Sequence, residues 1–257
     1  MASAFGGVGI INLLRGELYK AEDNFMKALE LHKKDNNMLN VARSYANLGL
    51  IYKIFGQLDK AECYHKKSLT IGLELNNREC IGQQYCNLGI IWKERGNYVK
   101  AEELYRKALE IFIDLGCKID IAKQYGNLGV LRTIQKKYED AEQFYQKALK
   151  INHELNSKDG VATQYANLGI LRRYQGNFDG AKDLFEKALK INAELESIEG
   201  IALCYVSMGL MYKASNKLKL AEKYFQMSLC LYKRLHATMM IAKVQGYLDE
   251  LAAEKEN

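Results

Sequence analysis

The chain has 257 residues, 48% of them apolar and 26% charged, with a net charge of +6 and no proline. This composition excludes a disordered chain, a collagen-like rod and a mucin-like stalk, and so mild a charge does not by itself mark a nucleic-acid binder. The longest nearly uncharged apolar stretch, Gly6–Leu14, is shorter than the ~20 residues that span a bilayer, and the first five residues carry no basic segment of a secretory signal.

A forty-residue period organises the chain. Gly9, Gly49, Gly89, Gly129, Gly169 and Gly209 are one column, and Ala21, Ala61, Ala101, Ala141, Ala181 and Ala221 another. Tyr45, Tyr85, Tyr125, Tyr165 and Tyr205 are a third, and Leu48, Leu88, Leu128, Leu168 and Met208 a fourth. The register predicts six units, 2–41, 42–81, 82–121, 122–161, 162–201 and 202–241, followed by a capping helix over 242–254, all in one domain over 1–257.

In the first unit Phe5 stands in the tyrosine column, and Leu13 and Leu14 stand where other units often carry charge. The unit is atypical, as a cap or a cut end of a longer array is. In the second unit a helix is expected over roughly Val41–Phe55, with Tyr45, Leu48, Gly49 and Tyr52 on its core face. Gly56 breaks it, as Gly16, Gly96 and Gly176 do elsewhere. A second helix opens near the acid Asp59, or Glu139 two units on. In the third unit its apolar face is Ala101, Tyr105, Ala108, Leu109 and Phe112. Asn76, Gly116 and Asn156 tolerate the left-handed turn that ends such a helix, and acids such as Glu79 and Asp120 open the next one. The tail carries Leu248 and Leu251 on one face, and Lys243, Asp249, Glu250, Glu254 and Lys255 on the other, which suits a solvating cap. With no proline and this periodicity the fold class is all-α. One helix pair cannot bury its apolar face alone, so the units must stack.

Tyr85-x2-Leu88-Gly89-x2-Trp92, followed by Ala101-x3-Tyr105, resembles the tetratricopeptide signature. The forty-residue Tyr-x-Asn-Leu-Gly variety is similar to the repeats of kinesin light chains, Pins-type polarity adaptors and many bacterial tetratricopeptide proteins. The resemblance covers nearly the whole chain. It implies a right-handed α-solenoid superhelix of six helix-turn-helix repeats whose first helices line an inner groove, and a role as a protein-interaction scaffold. The chain departs from the pattern at Arg132 and Arg172 in the Trp/Tyr column, at Lys136 and Asn216 in the helix-break column, and in lacking the usual proline after the second helix.

No phosphate loop, nucleophile elbow or zinc-binding spacing is present, so the chain is read as no enzyme, with no cofactor and no metal. Cys63, Cys80, Cys86, Cys117, Cys204 and Cys230 form no C-x-x-C pair, and they read as reduced thiols of a cytoplasmic protein. His32, His65, His153 and His236 lie far apart among helical residues.

What remains is a side-chain ladder opposite the core face of the first helices. Asn47, Asn87, Asn127 and Asn167 recur there, with Ser207 last. An amide both donates and accepts, so a column of amides can bind the backbone of an extended peptide of any sequence. In the families this chain resembles, the equivalent asparagines line the peptide groove. Each asparagine could instead tie its helix to the next unit. Around them the window is basic, with Arg43, Lys53, Lys93, Lys123, Arg173 and Lys213 against the single acid Glu94, and Tyr174 adds apolar surface. These residues define the expected peptide-binding site, and their charge implies an acidic extended or helical segment. The alternatives are a structural protein that self-associates through its first repeat, and an RNA-binding helical repeat. RNA fits less well, because the aromatic residues occupy core columns and leave no stacking platform.

Overall fold

The computed structural model describes residues 2–256, with side chains through Glu254; the side chain of Lys255 lies outside the described residues. Among the described residues it contains thirteen helices and no strand. They are α1 (Ala2–Leu14), α2 (Leu18–Lys34), α3 (Met38–Ile54), α4 (Leu58–Glu74), α5 (Arg78–Glu94), α6 (Tyr98–Asp114) and α7 (Lys118–Ile134). There follow α8 (Tyr138–Glu154), α9 (Lys158–Tyr174), α10 (Phe178–Glu194), α11 (Ile198–Ala214), α12 (Leu218–Arg234) and α13 (Thr238–Glu256). The chain divides into two compact units, Met1–Gln124 and Tyr125–Asn257, and the division falls within α7.

Every link between helices has three residues, and one residue of each takes a left-handed conformation with φ between 49° and 77°. Glycine holds that place at 16, 56, 96, 116 and 176, asparagine at 36, 76, 156 and 216. Lys136, Glu196 and His236 adopt it despite a side chain, which costs such a residue about 1–2 kcal/mol. The turn closes by reverse bonds across the helix end: the Asn37 amide donates to the His32 carbonyl (3.0 Å) and the Asn36 amide to Lys33 (3.1 Å). The next helix then starts on a side-chain cap. Asn37, Asn77, Asn97, Asn177, Ser157 and Ser197 each accept the amide three residues on. Asn37, Asn77, Ser157 and Ser197 set their first helices at Met38 and its equivalents, ahead of the expected start near Val41. The final helix starts at Thr238 rather than 242.

Two columns make each hairpin. A Cβ on Gly49, Gly89, Gly129, Gly169 or Gly209 would lie 2.5–2.7 Å from the ring of His65, Tyr105, Tyr145, Phe185 or Phe225. The glycine therefore lets a ring on the second helix pack directly against the backbone of the first. The alanine column Ala21 to Ala221 is wholly buried. In Met1–Gln124 the core joins Ala21, Phe25 and Leu29 of α2 to Val41, Ala42, Leu48 and Ile51 of α3. In Tyr125–Asn257 it joins Phe185 of α10, Met208 and Met211 of α11, Phe225 of α12, and Val244 and Leu251 of α13.

The expected core face needs one correction. Leu48 and Gly49 are buried, but Tyr45 and its equivalents are only half-buried. Lysines of the second helices cover them, with the Lys67, Lys107, Lys147 and Lys187 ammonium groups 5.6–5.9 Å from the rings of Tyr45, Tyr85, Tyr125 and Tyr165. The fully buried column is instead Ile51, Ile91, Leu131, Leu171 and Met211. On α3 this column packs against α2 of the preceding hairpin, a contact that the face of one helix pair does not reveal.

Candidate functional site

Asn47 lies on α3, Asn87 on α5, Asn127 on α7 and Asn167 on α9, all half-buried in mid-helix. In Met1–Gln124, neither Asn47 nor Asn87 has a side-chain hydrogen bond among the described residues. In Tyr125–Asn257, Asn167 Nδ2 donates to Gln164 Oε1 at a long 3.4 Å. Ser207 closes the column by donating to the Leu203 carbonyl of its own helix.

Asn47 lines a cavity of about 180 Å³ between α3 and α5. Arg43, Asn77, Glu79, Cys80 and Gln83 surround it, and buried Ser68 and Gln84 form its floor. Further along the same helices lie Lys53 and Lys93, both half-buried. Burial holds the Lys93 ammonium below the usual lysine range; Glu94 opposes that shift and Lys53 adds to it. Arg43, Lys53 and Lys93 make no ion pair among the described residues.

Of the other basic residues expected at the site, Lys123 and Lys213 are ion-paired. Lys123 pairs with Asp120 one turn back (3.2 Å). Lys213 of α11 pairs with Glu250 (2.8 Å) and Glu254 (3.0 Å) of α13, and its pKa rises chiefly through the Glu250 bond. The window thus holds more acid than Glu94 alone. The Arg173 guanidinium lies 4.7 Å over the ring of exposed Tyr174, and its buried Nε has no hydrogen-bond partner. Arg172, in the Trp/Tyr column, reaches back to Glu142 of α8 (2.5 and 3.2 Å). Tyr52 of α3 makes the same step to Glu22 of α2 (2.5 Å), so this column ties one hairpin to the one before.

Two features lie beyond the sequence expectations. Gln84, Gln124 and Gln164 form a second amide column, buried, one helical turn before the asparagines. Their forty-residue spacing is visible in the sequence. His65 fills the aromatic column of its hairpin; its Nδ1 is 2.9 Å from Gln84 Oε1. Burial lowers its pKa to about 4, with Lys53 adding to the shift and the Gln84 bond opposing it. The imidazole is neutral at pH 7.

The site offers amide hydrogen bonds, positive charge and a small cavity. Among the described residues no three His, Cys, Asp or Glu side chains gather to hold a metal, and no helix is long and apolar enough to cross a membrane.

A family model described as tetratricopeptide repeat matches residues 1–74, 120–194 and 160–234, and a second of the same description matches 83–112. Among solved structures the chain is similar to the apo form of RapI, with a TM-score of 0.77 at 21% identity, over 91% of this chain and 84% of that one. It is similar to a Rap protein complexed with competence and sporulation factor, with a TM-score of 0.73 at 16% identity, over 97% and 74%. It is also similar to BtubC (BKLC) from P. vanneervenii, with a TM-score of 0.61 at 23% identity, over 89% and 91%. At these identities the likeness is one of fold. A search of curated proteins returns no match.

Proposed function

Since the chain belongs to the tetratricopeptide repeat family, whose members are in general protein-interaction scaffolds, we propose that it is a non-enzymatic adaptor that binds an acidic, extended or helical peptide along its first helices. One observation carries the reading. Asn47, Asn87, Lys53 and Lys93 recur on consecutive first helices, half-buried and without a hydrogen bond or ion pair among the described residues. Half-buried polar groups left unpaired are costly, and a partner that supplies carbonyls, amides and carboxylates offsets that cost. The cavity beside Asn47 is the size of a side-chain subsite rather than of a small-molecule pocket. The neighbouring Rap protein complexed with competence and sporulation factor is consistent with such a role. Six free cysteines, with Cys63 and Cys230 exposed, fit a cytoplasmic setting.

Neutralising the cations tests this reading. Lys53→Gln with Lys93→Gln should slow association with Glu-rich peptides and flatten the salt dependence of binding. Stability should not fall, because two like charges are removed. Binding that ignores both the substitutions and the salt would defeat the electrostatic reading.

A further inference from the structure

The columns that seal one hairpin against the next stand open on α1. Leu48, Leu88, Leu128, Leu168 and Met208 are at most 4% exposed, yet Val8, forty residues before Leu48, is 44% exposed. Ile51, Ile91, Leu131, Leu171 and Met211 are at most 1% exposed, yet Ile11 is 49% exposed. What seals Leu48 and Ile51 is α2, through Ala21, Phe25 and Leu29. Among the described residues no helix takes that place over α1. Ile10 and Leu14 are exposed beside Val8 and Ile11, so the open stripe is continuous, and Ala2–Leu14 contains no charged residue.

We propose that this stripe is a dimer interface, covered by α1 of a second copy packed antiparallel about a twofold axis. The occupant must be a helix with an apolar stripe, since α2 covers these columns on α3, α8 on α9 and α10 on α11. An uncharged stripe meets its own copy without repulsion. A Cβ built on Gly6 or Gly7 would meet nothing within 4 Å, so the backbone there is open to close approach by a second helix. The last helix is a poor match, because α13 exposes Lys243, Asp249, Glu250 and Glu254, and a head-to-tail contact would bury these charges against Val8 and Ile11. The like-with-like contact closes at two copies. This inference does not depend on the groove.

Sedimentation of the full chain across the micromolar range tests it. The expected result is a reversible monomer–dimer equilibrium with no larger species and little response to salt. Ile11→Lys with Leu14→Lys should raise the dissociation constant at least tenfold and leave the circular dichroism unchanged. Hydrogen exchange should slow with concentration in α1 and not in α13. A monomer at every concentration overturns the proposal. So does a dimer that survives both lysines with α1 unprotected, an assembly that grows without limit, or one that forms only when a different protein is added.

Discussion

Tyr105 and Tyr145 occupy the same register position, and their rings cover Gly89 and Gly129 alike. Their hydroxyls differ. Tyr145 Oη lies 3.0 Å from Thr133 Oγ1, which in turn donates to the Gly129 carbonyl. In the preceding hairpin the residue equivalent to Thr133 is Lys93, and the Tyr105 hydroxyl is buried with no partner. Burial raises both phenols above the ordinary range. A buried unbonded hydroxyl costs about 1–3 kcal/mol, so in denaturant titrations Tyr105→Phe should raise the unfolding free energy, while Tyr145→Phe should lower it by about 1 kcal/mol. Equal effects of the two substitutions would show that the hydroxyls are equivalent. The sequence displays the column and the alternation of Phe, Tyr and His within it. It does not display which hydroxyl finds a bond, because that depends on a side chain of the facing helix. The same limit applies to Lys213, whose partners stand 37 and 41 residues further on.

At the scale of helices, the period, the glycine and asparagine break residues and the second-helix starts were readable, because glycine, asparagine and the apolar stripe carry direct physical signals. The starts of the first helices were less so. The first turn is polar in α5, at Arg78 and Glu79, and exposed in α3 at Met38, and the cap that sets the boundary is a single asparagine or serine outside the apolar pattern. The left-handed turns at Glu196 and His236 had no residue signal at all; the three-residue link that joins one hairpin to the next helix imposes them. His65 joins three elements, α4 that carries it, α3 through Gly49 and α5 through Gln84. Its pKa is lowered from 6.5 to about 4, so below pH 6.5 the unfolded chain binds a proton that the folded chain refuses. Stability from this group is full above about pH 6.5 and is lost as pH falls towards 4, by about 3 kcal/mol in all. In His65→Phe that part of the pH dependence should vanish, whatever the change in absolute stability. An unchanged slope of unfolding free energy between pH 6.5 and 4 would mean that His65 is not the group responsible.

At the scale of the whole molecule, the fold class and family were legible because forty-residue periodicity is a global property of the sequence. The site was legible only in part. The asparagine ladder and the basic residues could be named, but which of them are already paired required coordinates: Lys123 and Lys213 are engaged, while Lys53 and Lys93 are not. The central claim is that the unpaired amides serve a ligand and not the fold. Calorimetric titration of Asn47→Ala with Asn87→Ala, using peptides selected on the parent chain from a random display library, tests it most directly when thermal unfolding is measured beside it. The affinity should fall by about 1–3 kcal/mol. Stability should equal the parent's or be slightly higher, since alanine is the better helix former by several tenths of a kcal/mol. Undiminished binding in a fully stable variant would contradict the account, as would a loss of stability of similar size with binding reduced only in proportion.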